Sequence, residues 1–118
     1  MHRTRILVVA VVVAVFVVAG AALVYRTVGG GGGSVNVEVM VNGAIMSPSE
    51  ITVTQGDHVT MNVTCDRAEV IHLHAYDIKF ACEAGKKISH AFTADKTGVH
   101  SIEIEGIGTE IGKLTVQP

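Results

Sequence analysis

The chain predicts an all-β domain of antiparallel sandwich or barrel type, preceded by one N-terminal transmembrane helix. Three observations carry this. From Val35 onward apolar residues recur with period two, as on strands that bury one face. Turn signals at Asn42-Gly43, Gln55-Gly56-Asp57 and Thr97-Gly98 break the pattern at close intervals. Ahead of all this, residues 6–25 are apolar throughout, apart from Gly20 and Tyr25.

The N-terminal run comes first. As a helix rising about 1.5 Å per residue it spans roughly 30 Å, the thickness of a bilayer core. Its valine richness is no obstacle in lipid, where the backbone must bond to itself. A cleaved signal peptide and an uncleaved signal anchor both suit the basic start Met1-His2-Arg3-Thr4-Arg5. A signal peptide's apolar region is usually about 7–15 residues, and Ala19-Gly20-Ala21 is a weak cleavage-like triplet, so the anchor is preferred. No cysteine lies near it, which excludes bacterial lipid attachment. Arg3, Arg5 and the terminal amine outweigh the lone Arg26 and place the N-terminus in the cytoplasm.

The expected organisation is therefore a cytoplasmic stub (1–5), a membrane span (6–25), a glycine-rich linker (26–34) and an extracytoplasmic domain (35–118). The linker contains five successive glycines, residues 29–33, closed by Ser34, and such a segment is a flexible coil. The lipid bilayer is the expected partner of residues 6–25, in a single-pass membrane protein.

In the outer domain, Val35, Val37, Val39 and Val41 alternate with Asn36, Glu38, Met40 and Asn42. Ile51 and Val53 make a short strand, and Val59, Met61, Val63 and Cys65 form the next inward row. Residues 70–77 are a strand carrying two histidines. Ile88, His90 and Phe92 line another, followed by His100, Ile102 and Ile104, then Leu114 and Val116. Beyond the anchor no helix is expected.

All eleven Asp and Glu lie beyond residue 34, against six Lys and Arg there, a net charge of −5. An acidic domain with no basic run argues against a nucleic-acid partner. Cys65 and Cys82 are the only cysteines. Outside the cytoplasm an even pair points to a disulfide. Two buried thiols, or one thiolate joining the histidines at a metal, are the alternatives.

The run His72-Leu73-His74-Ala75-Tyr76-Asp77 carries the chemistry. Residues i and i+2 of a strand share a face, so both imidazoles project together, and imidazole is the commonest metal ligand. The plain structural reading sets them outward, since Ile71, Leu73 and Ala75 take the other parity and form a core face. His90 and His100 share parity with apolar neighbours and read as partly buried, hydrogen-bonded residues. Beside His72 and His74, either would complete a three-nitrogen site suited to Cu(II) or Zn(II). Glu103, Glu105 and Glu110 add oxygen ligands or simply form a solvated acidic edge. Met40, Met46 and Met61 are soft donors without a cluster, Met61 reading as core. Asn62-Val63-Thr64 matches a glycosylation acceptor but sits mid-strand. No nucleophile setting or phosphate loop is present, so no enzyme is expected.

Several segments, in this order, carry a family resemblance. They are Pro48-Ser49-Glu50-Ile51-Thr52-Val53, Gly56-Asp57-His58-Val59, the histidine run, Phe92-Thr93-Ala94-Asp95-Lys96-Thr97-Gly98 and Ile111-Gly112-Lys113-Leu114-Thr115-Val116. Together, over roughly 47–116, they resemble a cupredoxin-like domain of the plastocyanin type, in its membrane-tethered form with a His-x-His-Gly-Tyr-Asp strand. Ala75 replaces that glycine. The resemblance implies a Greek-key β-sandwich and puts His72 at the early histidine ligand of a blue copper site. It fails at the other three ligands, where Ile104 stands at the cysteine, Glu110 at the methionine, and no histidine follows His100. The paired cysteines of a binuclear centre are also missing.

Two functions follow as expectations. One is a tethered domain that binds or handles copper through a non-blue histidine site. The other is a metal-free domain of the same fold, meeting an unidentified protein partner at the cell surface.

Overall fold

The computed structural model describes residues 32–118, together with short extended backbone segments at Val11–Val12 and Val24–Thr27. The rest of the expected span over 6–25 lies outside the described residues. Among the described residues no helix is long and apolar enough to cross a membrane.

Nine strands build the domain within residues 32–118. They are β1 (Ser34–Asn42), β2 (Ile45–Ser47), β3 (Glu50–Thr54), β4 (His58–Cys65), β5 (Glu69–Leu73), β6 (Ile78–Cys82), β7 (Lys87–Thr93), β8 (Gly98–Ile104) and β9 (Thr109–Gln117). Sheet I runs β1-β4-β7, with β2 on the other edge of β1, and sheet II runs β3-β9-β8-β5-β6. The valines of β1 and the row Val59, Met61, Val63 and Cys65 of β4 form the inner face of sheet I. Ile51, Val53, Ile71, Leu73, Phe80, Ile102, Leu114 and Val116 form the inner face of sheet II. Burying side chains of this kind contributes roughly 1.5–3 kcal/mol each.

The sandwich is not wholly antiparallel. β1 pairs parallel with β4 (Val35↔Val59 to Val41↔Cys65), and β3 pairs parallel with β9. Period-two alternation is the same for both orientations, so the sequence pattern carries no sign of them. The histidine strand is also shorter than expected from 70–77. It ends at Leu73, and His74–Tyr76 form a 3-10 turn closed by Asp77 at φ 50°. Aspartate is among the few residues that tolerate that left-handed conformation.

Cys65 and Cys82 form the expected disulfide, tying the end of β4 to the end of β6 across the two sheets. The last glycines of the linker pack against the domain. The Gly33 carbonyl accepts from the His58 amide at 2.7 Å. A Cβ on Gly32 would stand 1.9 Å from the Gly56 carbonyl oxygen, so only glycine fits this approach.

The matched glycosylation acceptor is structural. Asn62 is buried on β4, and its Nδ2 donates to Glu38 Oε2 (2.6 Å) and Asn36 Oδ1 (3.1 Å). Its Oδ1 accepts from the Ser89 hydroxyl.

Candidate metal centre

Alternation along β5 sends Ile71 and Leu73 into the core and His72 to the outer face of sheet II. There His72 has Glu103 of β8 as its cross-strand partner on one side and Lys79 of β6 on the other. These neighbours leave the His72 side chain only 17% exposed.

His74 opens the 3-10 turn and is about half exposed. Although it has left the strand, its ring still meets that of His72, with centroids 4.5 Å apart and planes at 44°. Each ring also meets a carboxylate. His72 Nε2 donates to Asp77 Oδ1 at 3.0 Å, and His74 Nε2 lies 2.7 Å from Glu103 Oε1. The left-handed backbone at Asp77 turns the chain so that its carboxylate reaches back five residues to His72.

The three expected acidic residues separate by partner. Glu105 takes Lys79, with Nζ to Oε2 at 3.3 Å. Glu110 lies opposite Glu103 across β8 and β9, and its carboxylate accepts from the Ser101 hydroxyl. Glu103 alone of the three faces the histidine pair.

His90 and His100 stand apart from that pair. Both keep the inward parity, but at open margins of the sandwich. His90 pairs with Met61 across β4 and β7, is exposed, and meets the Phe80 ring edge-on at 5.0 Å. The expected burial of His90 is not found, because β7 is an edge strand. His100 donates from Nε2 to the Lys96 carbonyl at 2.7 Å and meets the Tyr76 ring edge-on at 5.9 Å. Among the described residues no three His, Cys, Asp or Glu side chains already form a metal-binding group.

Sulfur donors lie elsewhere. Both cysteines are in the disulfide. Met46 and Met61 are buried, and Met40 belongs to sheet I. The connection from β8 to β9 is only the turn over 105–108, with Ile104 pairing Thr109 across its base.

Sequence reasoning reached His72, His74 and the aspartate beside them. It left Glu103 among several acidic residues, because its place depends on the β5–β8 register. The legible signal was parity alone, since Glu103 falls out of phase with Ile102 and Ile104 and so faces outward.

No protein-family model matches the chain, and no curated protein matches it. Solved structures do. The metal binding domain of the Streptococcus pneumoniae Cu(I) exporting P-type ATPase CopA superposes with a TM-score of 0.65 at 14% identity, covering 79% of this chain and 93% of that one. A purple cupredoxin from Nitrosopumilus maritimus superposes with a TM-score of 0.51 at 16% identity, covering 68% and 98%.

The fold is cupredoxin-like.

A copper binding protein solved in its apo form shares it as well, with a TM-score of 0.53 at 18% identity over 70% of this chain and 88% of that one. At these identities the likeness is one of fold.

Proposed function

We propose that this domain binds copper through His72 and His74, as an extracytoplasmic copper-handling module tethered to the membrane by residues 6–25. The observation that carries the reading is the contact between the two imidazoles on the outer face of sheet II, each beside a carboxylate. Metal-binding histidines almost always keep an outer partner, as His72 does in Asp77, which fixes ring orientation and raises ligand basicity. Imidazole and carboxylate donors suit Cu(II) and Zn(II). That two of the similar structures are copper-binding proteins adds weight.

A blue site needs a thiolate in its trigonal plane, and the disulfide consumes both cysteines. The proposed role is therefore binding and transfer of the ion rather than blue-type electron transfer. When bound, copper would supply a positive centre between these side chains. Asp77 holds the His72 ring, and the rigid register of β5 on β8 sets Glu103 beside it.

The test is calorimetric titration of the full-length chain with Cu(II) and with Zn(II), alongside a His72→Ala/His74→Ala double variant. One Cu(II) per chain, lost in the double variant, is the expected result. Equal, weak uptake by both proteins would sink the copper reading and leave a metal-free interaction domain.

A further inference from the structure

Resting on that reading, we infer that Glu103 is an oxygen ligand beside His72 and His74, making a mixed nitrogen–oxygen site that takes copper as Cu(II) in preference to Cu(I). Three features of the outer face of sheet II lead there.

The first is the geometry of the two imidazole–carboxylate contacts. His72 Nε2 and Asp77 Oδ1, 3.0 Å apart, form an aligned hydrogen bond. His74 Nε2 and Glu103 Oε1 are closer, at 2.7 Å, and Glu103 is also the cross-strand partner of His72. Two donors bound side by side to one small cation at about 2.0–2.1 Å stand roughly 3 Å apart, each aimed at the cation and not at the other. The His74–Glu103 pair has a separation of that kind at a carboxylate that neighbours both histidines, whereas Asp77, largely exposed and bonded to His72 alone, acts as a positioning residue for its ring.

The second is charge. Lys79 is the cross-strand neighbour of His72, but its ammonium is held by Glu105 at 3.3 Å. Glu103 is three-quarters buried and also lies opposite Glu110, a second carboxylate on the same face. Like charges directly opposite on a sheet are destabilising, and a bound divalent cation would relieve this pair.

The third is the kind of donor within reach. Cu(I) favours thiolate and thioether sulfur, while imidazole and carboxylate suit Cu(II). Among the described residues, both cysteines are bonded to each other and the methionines are buried or on sheet I. The site offers nitrogen and oxygen.

The experiment compares full-length wild type, Glu103→Gln, Glu110→Gln and His72→Ala/His74→Ala. Cu(II) affinity is measured by calorimetry, Cu(I) affinity by competition with bicinchoninate, and the Cu(II) ligand set by electron paramagnetic resonance. Glu103→Gln should lower Cu(II) affinity on the order of tenfold or more and change the copper hyperfine splitting. Glu110→Gln, which removes the opposing charge but no ligand, should lower Cu(II) affinity by less than Glu103→Gln and leave the hyperfine splitting unchanged, and wild type should bind Cu(II) more tightly than Cu(I). Wild-type affinity and spectrum in Glu103→Gln, with binding lost in the histidine variant, would overturn the role of Glu103 and leave the proposed function standing. Tighter binding of Cu(I) by the wild type would overturn the preference without reference to any variant. No copper uptake by the wild type would overturn both.

Discussion

Cys65 and Cys82 clamp the sandwich at one corner, each the last residue of its strand and each in a different sheet, with Cα atoms 6.0 Å apart. The bridge closes a separation of 17 residues, and both sulfurs are buried. In the chain-entropy account a loop of that size stabilises the fold by about 3 kcal/mol. The Cys65→Ala/Cys82→Ala variant should lose about that much in urea unfolding. The native chain should show no reactive thiol until it is denatured and reduced.

Gly112 sits where β9 passes under Met46. A Cβ there would meet the Met46 Cε and Sδ at 2.7 Å and the Ser49 carbonyl oxygen at 3.0 Å. The methionine can shift, but the carbonyl is fixed by the Lys113 amide, which donates to it at 2.9 Å. Gly112→Ala should therefore destabilise by about 1–3 kcal/mol. Combining it with Met46→Ala should cost less than the sum of the two single changes, read from the same unfolding curves.

Asn62 should carry no glycan. An oligosaccharide needs its amide nitrogen free and exposed, and here that nitrogen donates to two side chains beneath a covering of polar neighbours. Secretion from a host that glycosylates should yield the unmodified mass at this site. An Asn62→Ala variant should be destabilised by about 1–3 kcal/mol, because Glu38 and Ser89 lose a buried partner.

Phe80 is fully buried, the largest such side chain in the core, and also lies against the His90 ring. Phe80→Ala should cost about 3–5 kcal/mol. Because Phe80 adjoins the edge strand β7 through His90, the nuclear magnetic resonance signals of the His90 ring should shift in Phe80→Leu, while those of His72 should not.

The inward rows were legible because period two is a direct consequence of strand geometry. Val35 to Val41 and Val59 to Cys65 all face the core as their spacing implies. The orientation of strand pairs was not, since β1 beside β4 alternates identically whether the pair is parallel or antiparallel. The histidine pair was legible from its i, i+2 spacing, although the reason differs from the one expected. His74 is no longer on the strand, and the 3-10 turn brings its ring back over His72. Glu103 acquired its place only through long-range register, which no local pattern in residues 98–105 encodes. His90 followed parity but not burial, because burial at an edge depends on what lies beside it.

The 3-10 turn of His74–Tyr76 grips both layers of the molecule. At one end His74 leans on Glu103 of sheet II. At the other, Tyr76 stacks on Phe92 of sheet I at 4.7 Å, and its hydroxyl accepts from the Lys96 amide at 3.1 Å. Holding His74 still also holds Tyr76, and with it the loop that leads from β7 into β8. Copper loading should thus be audible at a distance, as slower hydrogen–deuterium exchange of the Lys96 amide on the far side of the seam.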